Sequence, residues 1–155
     1  MRPKITLRPA RKIDQQQIQR LVWSARLNPT GLDWRRFTLA NDSSGGIVAC
    51  AQIKPHRDGS HEMASLVVDP DCRGQGLARL IIAELIQSHQ GDLYLMCRSS
   101  LGEFYAKFGF RALGEPEMPP YFRRISKLTS LVEILSKEGE LLLIMYRKAR
   151  TEGAG

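Results

Sequence analysis

Two arginines and two glycines fall within seven residues, Arg73-Gly-Gln-Gly-Leu-Ala-Arg79, and this is the stretch of the chain best suited to chemistry. It follows an apolar run from Met63 to Val68 that ends at Asp69-Pro70, and it precedes an amphipathic pattern that begins at Leu77. The order predicts strand, glycine turn, helix. The first N–H groups of a helix lack intrahelical partners and carry the positive end of the macrodipole, so such a turn is a site for an anion. Glycine at 74 and 76 removes side chains that would keep a phosphate off the backbone, and Arg73 and Arg79 bring guanidinium groups matched to phosphate oxygens. The pattern points to a pyrophosphate. A P-loop would need Lys-Ser or Lys-Thr after its second glycine, where this chain has Leu77-Ala78, and a dinucleotide fingerprint would need a third glycine that is not filled in that register. A strand, turn and helix also occur as a plain connection that binds nothing.

The elements that must hold this turn can be read in chain order. Ile5 to Arg8 alternates as a short strand, and Ile18, Leu21, Val22 and Ala25 mark the buried stripe of a helix near Asp14 to Arg26. Asn28-Pro-Thr-Gly-Leu-Asp-Trp34 is then a loop, followed by β-type runs from Arg35 to Leu39 and from Ile47 to Lys54 joined by a turn-forming Asn-Asp-Ser-Ser-Gly-Gly. The turn Pro55 to Ser60 leads into the strand before the glycines, which predicts an antiparallel meander. The helix over 76–90 carries Leu77, Ala78, Leu80, Ile81, Ile82, Leu85 and Ile86 as a wide apolar stripe. Leu93 to Cys97 reads as a central strand, and a strand, helix, strand crossover implies local parallel pairing and hence a mixed sheet. A short helix within Leu101 to Phe110, a helix over Tyr121 to Lys137 with Ile125, Leu128, Leu131, Val132 and Leu135, and a strand over Glu140 to Tyr146 complete the pattern.

With 155 residues, the expectation is one domain over 1–150 and a frayed tail at 151–155. Hydrophobic residues make up 43% and charged residues 25%, and nothing offers the roughly 18 apolar residues of a membrane span. The start, MRPKITLRPA, lacks the apolar core of a signal peptide, so a cytoplasmic location is expected. Cys50, Cys72 and Cys97 contain no Cys-x-x-Cys spacing, which argues against a disulfide framework and against a metal site. Lys plus Arg exceed Asp plus Glu by 23 to 16, giving +7 and an attraction for anions. The basic residues are scattered without helix-turn-helix or zinc-finger spacing, and nucleic acid is set aside as a partner.

Arg-x-x-Gly-x-Ala at Arg73 to Ala78, after Val-Asp-Pro, is followed about thirty residues on by Phe104-Tyr-x-Lys-x-Gly-Phe110. The two motifs in this order resemble those of the GNAT superfamily of N-acetyltransferases. The resemblance implies an α/β (α+β) fold with a mixed, mostly antiparallel central sheet flanked by helices around a βαβ cofactor-binding core. It implies acetyl-CoA as co-substrate and no metal. Arg73, Gly74, Gln75, Gly76, Leu77, Ala78 and Arg79 would hold the pyrophosphate, with Leu66, Val67 and Val68 beside the pantetheine arm.

For the chemistry, the resemblance implies Tyr105 near the thiol as proton donor to the leaving thiolate, and Glu62, at the start of the cofactor strand, as the group that assists amine deprotonation. His56 and His61 sit in a hairpin turn and are left out of the set. The asparagine that usually precedes the second motif is replaced by Arg98-Ser99-Ser100. Asn28, Asp33 and Trp34 are candidates for acceptor contact, although Asn-Pro and Gly stop helices and Trp commonly packs. Gly-Phe, Met-Pro-Pro, then Tyr-Phe-Arg-Arg-x-Ser-Lys is similar to the C-terminal part of the glutamate-acetylating branch, which favours a small amine or amino-acid acceptor whose anionic group meets Arg123 or Arg124. A protein N-terminus or lysine is the alternative acceptor, and a non-catalytic acyl-CoA-binding module is the alternative class. A homodimer stays open; no membrane partner is expected.

Overall fold

The computed structural model describes residues 4–133 and 139–150, with only the backbone of 130–133. Its elements are β1 (Thr6–Pro9), α1 (Gln15–Ser24), β2 (Phe37–Asn41), β3 (Ile47–Pro55), β4 (His61–Val68), α2 (Leu77–Ser88), β5 (Leu93–Arg98), α3 (Gly102–Ala106), β6 (Arg111–Ala112), α4 (Pro120–Glu133) and β7 (Leu142–Arg147). The seven strands follow the hydrogen-bonded order β1-β2-β3-β4-β5-β7-β6. The β1/β2, β2/β3, β5/β7 and β6/β7 pairs are antiparallel and β4/β5 is parallel, paired at Glu62 and Tyr94. The mixed sheet expected from the strand, helix, strand crossover is therefore present. No described helix is long and apolar enough to cross a membrane.

Contacts divide the chain into two compact units, Met1–Lys54 with Met63–His89, and Pro55–Glu62 with Gln90–Gly155. In the first, Ile18 and Val22 of α1 are wholly buried against Phe37, Leu39, Cys50 and Val67, with Leu21 and Ala25 packed beside them. Side chains alternate along a strand, so the neighbours of Leu39 and Cys50, namely Ala40, Ala49 and Ala51, face the other way, and all three are fully buried. Small residues there let a helix approach closely, and α2 lies against β2. Ile81, Ile82, Leu77, Leu85 and Ile86 of α2 are buried as expected, whereas Leu80 is 45% exposed: the apolar stripe is narrower than the sequence suggests. In the second unit Phe122 of α4 and Ile144 of β7 are buried with Met118, and Tyr94, Met96 and Tyr121 pack around them.

One boundary differs from expectation. The run from Arg35 begins as a 3₁₀ turn, Trp34–Arg36, because the Asp33 carboxylate accepts the Arg35 N–H at 3.0 Å and curls the chain before β2 starts. The last apolar residues expected of the helix after Tyr121, from Leu131 onward, lie outside the described side chains, as does the expected tail at 151–155.

The link from β1 to α1 is fixed by Asp14, 6% exposed, which accepts 2.8 and 3.0 Å hydrogen bonds from the Arg8 guanidinium and 2.7 Å from the Arg11 N–H. The Arg8 bonds, against the opposing effect of burial, hold its carboxyl below the usual carboxylate range. A carboxyl depressed in the folded state contributes stability above its unfolded value, about 3.9, and loses it as pH falls through the folded value. Asp14→Asn should cost about 1–3 kcal/mol at neutral pH. Urea unfolding across pH should show the gap to wild type closing in acid; a gap independent of pH would contradict this.

Candidate active site

In the first unit, β4 runs into the glycine turn. The strand carries a positive φ of 57 at Ser65, a non-glycine residue whose hydroxyl accepts from Gln52 Nε2 at 2.9 Å and whose carbonyl accepts from the Cys50 thiol at 3.6 Å. These two β3 side chains hold a backbone bend that costs on the order of 1–3 kcal/mol on its own. Beyond it, Leu66 and Val68 are half-buried and Val67 is turned into the core.

Asp69 then accepts the Asp71 N–H at 2.9 Å and starts a 3₁₀ turn, after which Gly74 and Gly76 take φ +80 and +78. Only residues tolerant of the left-handed region fit there without strain. Among the described residues, apart from each glycine's own chain neighbours, nothing lies within 4 Å of a β-carbon built at either glycine, so both face open space. Gly76 is the N-cap of α2, and the first helical bond runs from Leu80 N–H to Gly76 C=O, which leaves the N–H groups of Leu77, Ala78 and Arg79 at the open end. Arg73, Gln75 and Arg79 are exposed. An anion can reach backbone donors and guanidinium groups together at this turn.

The second unit places Glu62 differently from a strand-edge carboxylate in water. It is 4% exposed, and its Oε1 lies 2.8 Å from His56 Nε2. The turn between them is closed by hydrogen bonds from His56 N–H to Ser60 C=O and from Gly59 N–H to His56 C=O. This closure makes residues 56 and 62 diagonal neighbours on one face of the hairpin. The His56 ring stacks on Tyr121 with centroids 3.6 Å apart and meets the edge of Phe122 at 5.6 Å, and Phe122 stacks on Tyr94 at 5.2 Å.

Asp58, in the same turn, accepts the Tyr121 N–H at 3.0 Å and the Ser60 N–H at 2.9 Å. It thus takes up one of the orphan donors in the first turn of α4. Burial would push the Asp58 carboxyl up, yet the bonds from Ser60 and the Tyr121 backbone outweigh it and hold the group below its usual value. Burial, with the charge of Glu62 adding to it, pushes the Tyr121 phenol up. His56, Asp58 and Tyr121 went unselected in the sequence; the hairpin register could have exposed His56, but nothing local signals Tyr121.

Tyr105 belongs to a separate aromatic group. Its ring meets Phe104 at 5.1 Å and Phe110 at 6.2 Å, both edge-on, and burial, with Cys97 beside it, pushes its phenol up to about 12. Of the acceptor candidates, Asn28 Oδ1 accepts from Thr30 within its own turn, Asp33 caps Arg35, and Trp34 packs against the core of the first unit. Gln15 ties that loop to α1 through the Leu32 carbonyl at 2.6 Å and the Trp34 N–H at 2.8 Å. Arg98 pairs with Glu140 at 3.5 Å, Arg123 donates to the Met118 carbonyl at 3.1 Å, and Arg124 donates to that of Pro120 at 3.4 Å.

A family model described as "Acetyltransferase (GNAT) domain" matches residues 33–112, and the chain belongs to this acetyltransferase family. The chain is also similar to a UPF0039 protein of Synechocystis sp., at 33% identity over 100 residues, which are 58% of this chain and 64% of that protein. Among solved structures it resembles N-acetylglutamate synthase from Neisseria gonorrhoeae complexed with coenzyme A and N-acetyl-glutamate, at TM-score 0.74 and 18% identity over 96% of this chain and 36% of the synthase. It also resembles Rv2747 from Mycobacterium tuberculosis, solved in complex with CoA, at TM-score 0.69 and 20% identity over 94% of this chain and 99% of that one. At such identities the structural likeness concerns the fold. The chain spans just over a third of the synthase.

Proposed function

We propose that this chain transfers the acetyl group of acetyl-CoA directly to the primary amine of a small acceptor, an amino acid or amine. The observation that carries this reading is Glu62, a carboxylate kept 4% exposed and held by His56 at 2.8 Å on the strand that leads to the glycine turn. Membership of the acetyltransferase family supports the reaction type. The open space before Gly74 and Gly76 and the donors at the start of α2 support the pyrophosphate at Arg73 to Arg79, with Leu66 to Val68 along the pantetheine arm. A small amino-acid acceptor is supported by the N-acetyl-glutamate held by the Neisseria synthase.

Acetyl-CoA supplies the activated thioester. An ammonium must first lose a proton, and Glu62 is the base for it; the neutral nitrogen then attacks the carbonyl carbon, the carbon–sulfur bond breaks, and the second proton shed by the acylated nitrogen ends on the departing sulfur. Tyr105 donates to the departing sulfur. With its phenol near 12, the hydroxyl is protonated across the neutral range. An ordinary thiol lies near 8.5, so complete transfer from Tyr105 is uphill and its contribution is mainly a hydrogen bond that tightens as charge develops on sulfur.

Gly76→Asp would set a carboxylate before the donors of α2, and calorimetry should show coenzyme A affinity lowered by at least about tenfold, since one repelled charge in such a site is worth a kcal/mol or more. Unchanged affinity would move the pyrophosphate elsewhere. Glu62→Gln should lower kcat/KM by about 10²–10⁴-fold near neutral pH, with the deficit shrinking as pH rises and more of the amine is already neutral. A pH–rate profile superimposable on wild type would remove Glu62 from the chemistry. Tyr105→Phe deletes one hydroxyl, and single-turnover transfer should slow by about 10²-fold, the lower end of the range for losing one hydrogen bond to a developing charge. A wild-type single-turnover rate would leave Tyr105 as a packing residue.

A further inference from the structure

We propose that His56 is a positioning residue for Glu62, its Nε2 holding Oε1 at 2.8 Å so that the carboxyl group is presented in one orientation. The inference rests on the reading of Glu62 as the base. A base in a buried setting has to be held without being neutralised. A guanidinium would bind both oxygens in a fork, whereas an imidazole that donates from Nε2 gives one directed hydrogen bond to one oxygen.

The imidazole is itself fixed. Its backbone closes the turn through Ser60 and Gly59, its face lies on Tyr121 at 3.6 Å, and Phe122 abuts it edge-on. Asp58 binds the Tyr121 N–H, so the turn that carries His56 and the first turn of α4 are tied to each other at the same place. Rotation of the ring away from Glu62 would break the stack. Among the described residues, the groups near the carboxylate include His56, the Tyr121 phenol whose ionisation Glu62 opposes, and Tyr94 as its partner across the β4/β5 ladder, with Asp58 beyond the imidazole.

The test is a titration of the Glu62 carboxyl carbon by ¹³C NMR in the whole 155-residue chain, the resonance being assigned by its loss in Glu62→Gln. His56→Phe keeps an aromatic ring on Tyr121 and removes the donor; His56→Gln returns a donor. The Glu62 midpoint should rise by about one pH unit or more in His56→Phe and fall back toward wild type in His56→Gln, with the acid limb of kcat/KM moving alongside it. An unmoved midpoint in folded His56→Phe would overturn the proposal. Should that variant fail to fold, Tyr121→Leu keeps the imidazole and removes its platform: a raised midpoint there supports the proposal and an unmoved one overturns it. Because the titration needs no turnover, a shifted midpoint in a protein that acetylates no amine keeps the positioning role and sinks the transferase reading, while an unshifted midpoint in an active enzyme does the reverse.

Discussion

A carboxylate shut away from water among aromatic rings must be paired, and the bond between Glu62 and His56 is the constraint around which one end of the second unit is built. Removing one partner of such a buried hydrogen bond typically costs about 1–3 kcal/mol, because the other group is left with part of its desolvation unrepaid. That cost disciplines the surrounding sequence. The turn 55–60 has to close so that residue 56 lies diagonal to residue 62, and its Asp58 has to face α4. Pro120 opens that helix with no N–H to satisfy, and the next N–H, of Tyr121, goes to Asp58 while the Tyr121 ring covers the imidazole.

One strand links the two chemistries along the chain. β4 begins with the buried carboxylate, bends at Ser65 and runs through Leu66 to Val68 before the turn that opens α2. The bend is held by side chains of β3, Gln52 and Cys50, and not by a glycine. A strained backbone that neighbouring side chains over-determine is a fixed feature, which suits a strand that carries a buried carboxylate at one end and leads into the glycine turn at the other. The glycines are reserved for the turn itself, where φ near +80 and unobstructed backbone are both needed.

Much of this was legible before any coordinates. Glycine spacing, the Leu77 start of α2 and the parallel β4/β5 pair follow from local pattern, since a turn, a helix period and a crossover are short-range properties. The family is legible from two motifs for the same reason. Other features escaped because they depend on distant partners or on a single side chain. Tyr94 and Tyr121, which neighbour Glu62, lie far along the chain, so a solvated carboxylate and a buried one look alike in sequence. Asp33 turned an expected strand start into a 3₁₀ turn with one hydrogen bond, and Leu80 is an apolar residue on the outer side of an otherwise apolar helix. The two-residue β6 has no periodicity to detect.

The central claim is that an acetyl group leaves acetyl-CoA for an amine, and thiol release with a panel of amino acids, small amines and a peptide N-terminus, each product identified by mass spectrometry, tests it most directly. The account predicts release that depends on a small acceptor and a product acetylated at nitrogen. It would be contradicted if no acceptor in the panel were acetylated while acetyl-CoA still raised the Tm of the protein, the behaviour of a module that binds the cofactor without turning it over.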